Sequence, residues 1–282
     1  MTAGGSNPAI SSPANARIKA VAGLRDRRQR ERTGLTIVDG SREIRRAIEA
    51  GVTIEESFVC EALIRDPQAR ATIGLLAAAG RPPTTVSEIA FGKIAFGDRA
   101  EGLVAVARVP STALSDLRLP ADPLVVVLEA VEKPGNVGAV LRSADGAGAN
   151  ALIAADARTD LFNPNAIRAS LGTAFSLPLA AAPSAEALAF LREAGLRIVA
   201  ARTDASDAYT DVDLSGPVAI VLGSESRGLS GIWQADGVVA ARLPMLGMAD
   251  SLNVSAAAAV LLYEARRQRG AGRSERHSQH RS

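Results

Sequence analysis

The spacing of apolar positions changes repeatedly along the first hundred residues. Over 15–32, Ile18, Val21 and Leu24 recur at helical spacing among arginines, which predicts one amphipathic helix with a basic outer face. Leu35-Thr-Ile-Val-Asp39 reads as a short strand ending at Gly40. Ser41 is then placed to cap a helix over 42–50, which Gly51 stops. Further on, the pattern predicts a strand over 53–60, a helix over 67–79, an extended piece near Thr84-Thr-Val86, a helix over 87–94 and a strand over 102–107. Such alternation describes a small α/β domain over 14–108, preceded by a flexible arm, 1–13.

Residues 109–122 lose the pattern and read as a linker. Beyond them Leu124-Val-Val-Val-Leu128 is continuously apolar, as a strand buried on both faces of a parallel sheet must be. A helix to Ala147, a strand over 151–154, a helix opened by Pro164, a short strand over 175–179, a helix capped by Ser184 and a strand over 196–201 follow. Val218-Ala-Ile-Val-Leu222 is a second fully apolar run. The last strand, Val238-Val-Ala-Ala-Arg-Leu243, is stopped by Pro244. A helix then opens near Ser251 and Asn253, both good capping residues, and its Ala-rich sequence predicts burial on most sides. Strand–helix repetition with β-branched runs predicts a parallel α/β sheet for a second domain, 123–270, with a disordered basic tail, 271–282.

Composition narrows the chemistry. Of the 282 residues, 47% are hydrophobic and 22% charged, a globular profile without any apolar run near the ~20 residues of a membrane span. The N-terminus lacks a signal-peptide pattern, so a cytoplasmic location is expected. One cysteine, Cys60, excludes an internal disulfide. With both histidines, His277 and His280, in the polar tail, a Ser-His-Asp triad and a His- or Cys-based metal site are excluded as well. The net charge of +2 is unevenly spread: residues 1–50 carry 10 Lys+Arg against 5 Asp+Glu, while 51–263 carry 16 against 23. A polyanion partner is therefore expected to be gripped from the ends of the chain.

Three polar stretches follow three predicted strands at their C-terminal ends, where open parallel sheets bind ligands. The first is Glu132-Lys-Pro-Gly-Asn-Val-Gly-Ala-Val-Leu-Arg142, in which Asn136 is placed to cap the helix that carries Arg142. Its glycine spacing excludes a Rossmann fingerprint, and no Walker-type Gly-Lys-Ser/Thr follows. The second, Gly223-Ser-Glu-Ser-Arg-Gly-Leu229, puts the Glu225 carboxylate and bare backbone amides at a strand end. The third is Leu243-Pro-Met-Leu-Gly-Met-Ala-Asp-Ser-Leu-Asn-Val-Ser255.

Together, Asn-x-Gly-x-x-x-Arg, Gly-Ser-Glu-x-x-Gly-Leu and Leu-Pro-Met with Ser-Leu-Asn-Val-Ser resemble the three motifs of the SpoU/TrmH family of RNA ribose 2′-O-methyltransferases. Arg168-Ala-Ser-Leu-Gly-Thr-Ala-Phe-Ser-Leu-Pro178 is similar to a further family stretch. The marks Asn15-Ala-Arg-Ile-Lys19, Val38-Asp-Gly40 and Gly102-Leu-Val-Ala-Val106 resemble the ribosomal-protein-like domain that precedes the catalytic one in many members. Within the family the chain looks most like actinomycete ribosomal RNA methyltransferases linked to antibiotic resistance.

The resemblance implies an α/β trefoil-knot (SPOUT) domain and S-adenosylmethionine (AdoMet) as cofactor. It further implies an RNA substrate, large-subunit ribosomal RNA with transfer RNA as the alternative, and a homodimer formed through the knotted domain. By motif position Thr203, Gly223, Leu243 and Leu252 would hold AdoMet. Arg142 would hold the 2′-oxygen and the adjacent phosphate, since a guanidinium is a poor general base, although direct deprotonation by it stays open. Asn136 would orient Arg142 or the ribose, Glu225 would anchor Arg142 or Asn136, and Ser251 and Asn253 would shape the substrate pocket. The rival readings are a non-catalytic RNA-binding protein and a nucleotide-dependent oxidoreductase.

Overall fold

The computed structural model describes residues 9–96 and 101–279, with side chains as far as Gly270. The Asn15 side chain accepts from the Arg17 N–H at 2.9 Å and starts the helix Ala16–Gly23 (α1). The single helix expected over 15–32 is in fact two. Asp26 accepts from the N–H groups of Arg28 and Gln29 and opens Arg27–Thr33 (α2). Arg30 explains the break: it is 4% exposed and donates to the carbonyl oxygens of Leu24 and Arg25, 2.8 Å each, at the open end of α1. One arginine of the expected outer face is thus an internal strut.

The remaining elements of this part are β1 (Leu35–Asp39), α3 (Ser41–Glu49), β2 (Ile54–Val59), α4 (Pro67–Ala78), β3 (Thr84–Thr85), α5 (Glu88–Ile94) and β4 (Leu103–Arg108). Ser41 does not cap α3; Gly40 occupies that position, at φ 111°. The sheet runs β1-β4-β2-β3, antiparallel except for the β2–β3 pair. Ile18, Val21, Ile37, Phe58, Phe91 and Val104 fill its core.

The second part continues with β5 (Leu124–Glu129), α6 (Pro134–Ala147), β6 (Ala151–Ala155), α7 (Pro164–Ala169), β7 (Leu179–Ala182), α8 (Ser184–Glu193), β8 (Arg197–Ala201), β9 (Val218–Leu222), β10 (Val238–Ala241) and α9 (Val254–Gln279). Six parallel strands form one sheet in the order β10-β8-β9-β5-β6-β7. The strands that carry the two fully apolar runs, β5 and β9, are central and adjacent, with every residue buried. The strand expected over 175–179 instead follows Pro178, as β7, with a single helical turn over Thr173–Phe175 before it.

α9 packs on α6 and against β9, with Val254, Ala258, Leu261, Leu262 and Ala265 buried. It is not buried on most sides, for Val260 and Tyr263 are 37% and 55% exposed. It is tied down near its middle: Gln268 bonds Leu214 N and Val212 O, and Arg269 donates to Asp122 O. The α9 backbone continues to Gln279, where the sequence pattern ends order at residue 270; residues 280–282 and most of the expected arm, 1–8, lie outside the described residues.

The chain divides into two units, and the division does not follow the sequence order. Phe162–Ser176, which carries α7, groups with the residues up to Pro110, and Ser111–Leu161 groups with the residues from Leu177 onward. Within the first unit Thr36 Oγ1 donates to Phe162 O at 2.7 Å and Arg46 Nη1 to Leu171 O at 2.9 Å. Arg168 lies 3.6 Å from Asp39, whose carboxyl is 3% exposed. Burial pushes the Asp39 carboxyl up from 3.8 to about 7, although Phe96 N–H and Arg168 both favour its charged form.

Candidate active site

The six strands of the second unit end along one line, and two cavities open over those ends. The first, about 530 Å³, lies over β10, β8 and β9 and is lined by Ala241, Ala201 and Leu222 from the strand ends. The loop 223–229 closes one side and the segment from Leu243 to Val254 another. The second, about 670 Å³, lies over β5, β6 and β7. Ser224, Arg227 and Gly228 line both, so loop 223–229 is the wall between them.

That wall is tightly folded. Gly228 N donates to Ser224 O at 2.9 Å and Arg227 N to Ser224 Oγ at 3.2 Å. A Cβ on Gly223 would stand 2.2 Å from the Gly228 carbonyl carbon, so only glycine fits at the exit of β9.

Glu225 is the hub of the polar rim. Its Oε1 accepts from Asn136 Nδ2 at 2.7 Å and from Asn253 Nδ2, and its Oε2 pairs with Lys133 Nζ at 3.1 Å. Asn253 Nδ2 also lies 3.5 Å from Asn136 Oδ1. Three motifs separated by some ninety and thirty positions in the chain therefore meet on one carboxylate, which has a 30% exposed side chain. Asn136 is not a helix cap, because α6 begins earlier, with Pro134 in its first turn and Lys133 as cap residue. Asn253, not Ser251, caps α9: its Oδ1 accepts from Ser255 N at 2.9 Å.

Thr203, Gly223, Glu225, Leu243, Ser251 and Leu252 all line the first cavity. Arg142 does not. It is exposed on α6, and its guanidinium has no partner among the described residues. Among residues that the motifs did not single out, Lys133 pairs with Glu225, and Arg202 and Asp204 line the cavity. Arg202 Nε and Nη2 donate to the two oxygens of Asp204, 2.9 and 2.7 Å, and this bidentate pairing holds the Asp204 carboxyl below the usual range. Met245 and Val254 add apolar lining. The signal for Lys133 lay in the first motif itself, one residue before its proline; Arg202 and Asp204 flank Thr203 but have no pattern of their own.

The sequence motifs do not point to the second cavity. Glu129 closes β5 and is 2% exposed, and Ser184, expected as a cap, instead turns its hydroxyl to Glu129 Oε1 and Asp156 Oδ2, 2.8 and 2.6 Å away. An acid that ends a wholly apolar strand was the one available signal.

Comparison with known proteins supplies the context. Residues 123–263 match the model of the SpoU rRNA Methylase family, and residues 15–105 match the MRM3-like substrate binding domain. The 23S rRNA (uridine(2479)-2'-O)-methyltransferase of Streptomyces viridochromogenes is 38% identical over 179 residues, which span 61% of this chain and 62% of that relative. A crystal structure of an RNA 2'-O ribose methyltransferase is 42% identical with a TM-score of 0.82, covering 92% of this chain and 98% of its own. The SpoU methyltransferase AviRb from Streptomyces viridochromogenes, solved in complex with AdoMet, is 31% identical with a TM-score of 0.80, covering 90% and 98%.

Proposed function

Because the chain belongs to the SpoU rRNA Methylase family, we propose that it methylates a ribose 2′-hydroxyl of large-subunit ribosomal RNA with AdoMet as methyl donor. It is an AdoMet-dependent RNA 2′-O-ribose methyltransferase. The observation that carries the reading is the meeting of Asn136, Glu225 and Asn253 at the rim of the cavity over β8, β9 and β10.

The residues present fit the cofactor. A cavity of about 530 Å³ is within the range of small-molecule sites. Leu243, Met245, Leu252 and Val254 offer an apolar bed for a flat ring, and the Glu225 and Asp204 carboxylates offer anions to a cationic ligand. Thr203, Gly223, Leu243 and Leu252 hold AdoMet in this reading, chiefly through rigid backbone that needs no ordering on binding. Bound AdoMet supplies an electrophilic methyl group on a positively charged sulfur.

The chain's own residues provide alignment and charge. Glu225 fixes the amides of Asn136 and Asn253, so that the polar edge facing the ribose is set before RNA arrives. Ser251, beside Asn253, shapes the same edge. Arg142 binds the RNA phosphate and the 2′-oxygen and stabilises the negative charge that develops on that oxygen as its proton passes to solvent water and the oxygen takes the methyl group. Because Arg142 is exposed and absent from its own chain's cavity, its place in catalysis belongs to a homodimer in which each copy supplies it to the other's site. The outward Val260 and Tyr263 of α9, with the fully exposed Leu246 and Met248, provide apolar surface for that pairing.

In this reading the domain over 14–108 contributes RNA recognition, and the enzyme works in the cytoplasm. No helix among the described residues is long and apolar enough to cross a membrane. The test is incubation with labelled AdoMet and ribosomal RNA from cells lacking the gene, followed by mapping of 2′-O-methyl positions. One labelled nucleotide in the large-subunit RNA is expected; label confined to transfer RNA, or none, would overturn the substrate assignment.

A further inference from the structure

The cavity over β5, β6 and β7 has no role in the reading above. Its floor is Glu129, whose Oε1 accepts from Ser230 Oγ and whose Oε2 accepts from Ser230 N, both at 2.7 Å. Ser184 has one hydroxyl proton and two carboxylate neighbours, Glu129 and Asp156. Glu129 already has two other donors, so Asp156, exposed at the mouth, is the carboxylate left short of one. Ala130 and Asp156, at the ends of β5 and β6, adopt φ of 51° and 46°, a backbone region that non-glycine residues rarely enter. That conformation turns the chain out of two adjacent strands and makes room for the cavity. On the shared wall, the exposed Arg227 guanidinium has no partner among the described residues.

Resting on the methyltransferase reading, we infer that this second cavity receives the base of the nucleotide being methylated, with Asp156 accepting from the base edge and Arg227 holding a backbone phosphate. A nucleotide whose ribose faces the first cavity across the wall needs somewhere to put its base. Enzymes that act on a base take its nucleotide out of the stack into a pocket, and the same extrusion would bring this nucleotide's ribose to the wall and its base to the second cavity. The second cavity is contiguous with the wall and open on the solvent side. A carboxylate accepts and cannot donate, so Asp156 selects bases with an exocyclic amino group. Uracil presents a single N–H between two carbonyl oxygens, which repel the carboxylate.

The experiment uses the full chain and 23S rRNA transcripts carrying each of the four bases at the mapped methylation position. Methyl transfer is measured for the wild type, Asp156→Asn and Ala182→Leu, with AdoMet affinity measured by calorimetry. The wild type is expected to favour amino-bearing bases over uracil by at least about tenfold in kcat/KM. Asp156→Asn should flatten that preference, mainly through KM, with AdoMet affinity kept within twofold. Ala182→Leu fills the cavity and should raise KM for every transcript while leaving AdoMet binding intact. A wild type indifferent to the base, or an Asp156→Asn enzyme with the wild-type preference, overturns the inference. A wild type that methylates no RNA overturns the underlying methyltransferase reading instead.

Discussion

The side-chain amide of Asn253 is shared between two partners: its oxygen caps α9 at Ser255, and its nitrogen donates to the Glu225 carboxylate. One residue therefore sets both the start of the last helix and the orientation of the acid at the rim of the cavity. The two roles separate by substitution. Asn253→Ser keeps a capping oxygen but loses the amide donor, so it should unfold within about 0.5 kcal/mol of wild type yet methylate at least about tenfold more slowly. Asn253→Ala should lose the cap as well, at about 1 kcal/mol. Thermal denaturation and methyl transfer on ribosomal RNA check the pair, and equal activity of Asn253→Ser would remove the amide from the site.

Arg142→Ala is expected to lower methyl transfer at least about a hundredfold, the scale of losing one electrostatic donor to a developing anion, with AdoMet affinity within a few-fold. Mixed with Glu225→Gln chains that are themselves inactive, it should regain activity, because mixed dimers hold one site with both residues intact. No recovery on mixing would place Arg142 and Glu225 in the same chain's site.

Gly223→Ala tests the wall between the cavities. A methyl group 2.2 Å from the Gly228 carbonyl carbon must displace the loop. Calorimetry should find AdoMet affinity reduced at least tenfold, with circular dichroism of the folded chain unchanged. Wild-type affinity would mean that the loop gives way without cost to the cofactor.

Asp39 carries a pH dependence in the first unit. Its carboxyl is raised in the folded chain, from 3.8 to about 7, chiefly by burial. Between these values the unfolded chain has released the proton and the folded chain keeps it, so stability falls as pH rises through about 4 to 7 and levels off above. Asp39→Asn should remove that slope. Melting temperatures across this range check the sign, and an unchanged slope in the variant would locate the titration elsewhere.

The sheet of the second unit was legible because residues 124–128 of β5 and all of β9 are apolar, as strands buried on both faces of a parallel sheet must be. The motif residues were legible because Asn136, Glu225 and Asn253 each follow a strand end. Their convergence on one carboxylate was not, since nothing local in the chain ties position 136 to 225. Arg30 looked like surface because its neighbours are charged; its burial follows from the open carbonyls of Leu24 and Arg25, which periodicity does not register. Nor does periodicity reveal a knot or assign Phe162–Ser176 to the first unit. A truncation at residue 108, the natural choice from sequence, would leave Phe162 and Phe175, which stack 5.7 Å apart, without the partners of α7 in β1.

Loop 223–229 touches both cavities, and this has a thermodynamic consequence. With cofactor and base in the two cavities, as proposed above, any shift in Ser224, Arg227 or Gly228 that improves one side would alter the other, and the two ligands would be energetically coupled through it. Coupling between binding equilibria is reciprocal. Whatever factor bound cofactor adds to RNA affinity, bound RNA must add to cofactor affinity, and the cofactor left after methyl transfer has a coupling factor of its own. Turnover can then be ordered by seven residues of loop, without any domain having to move.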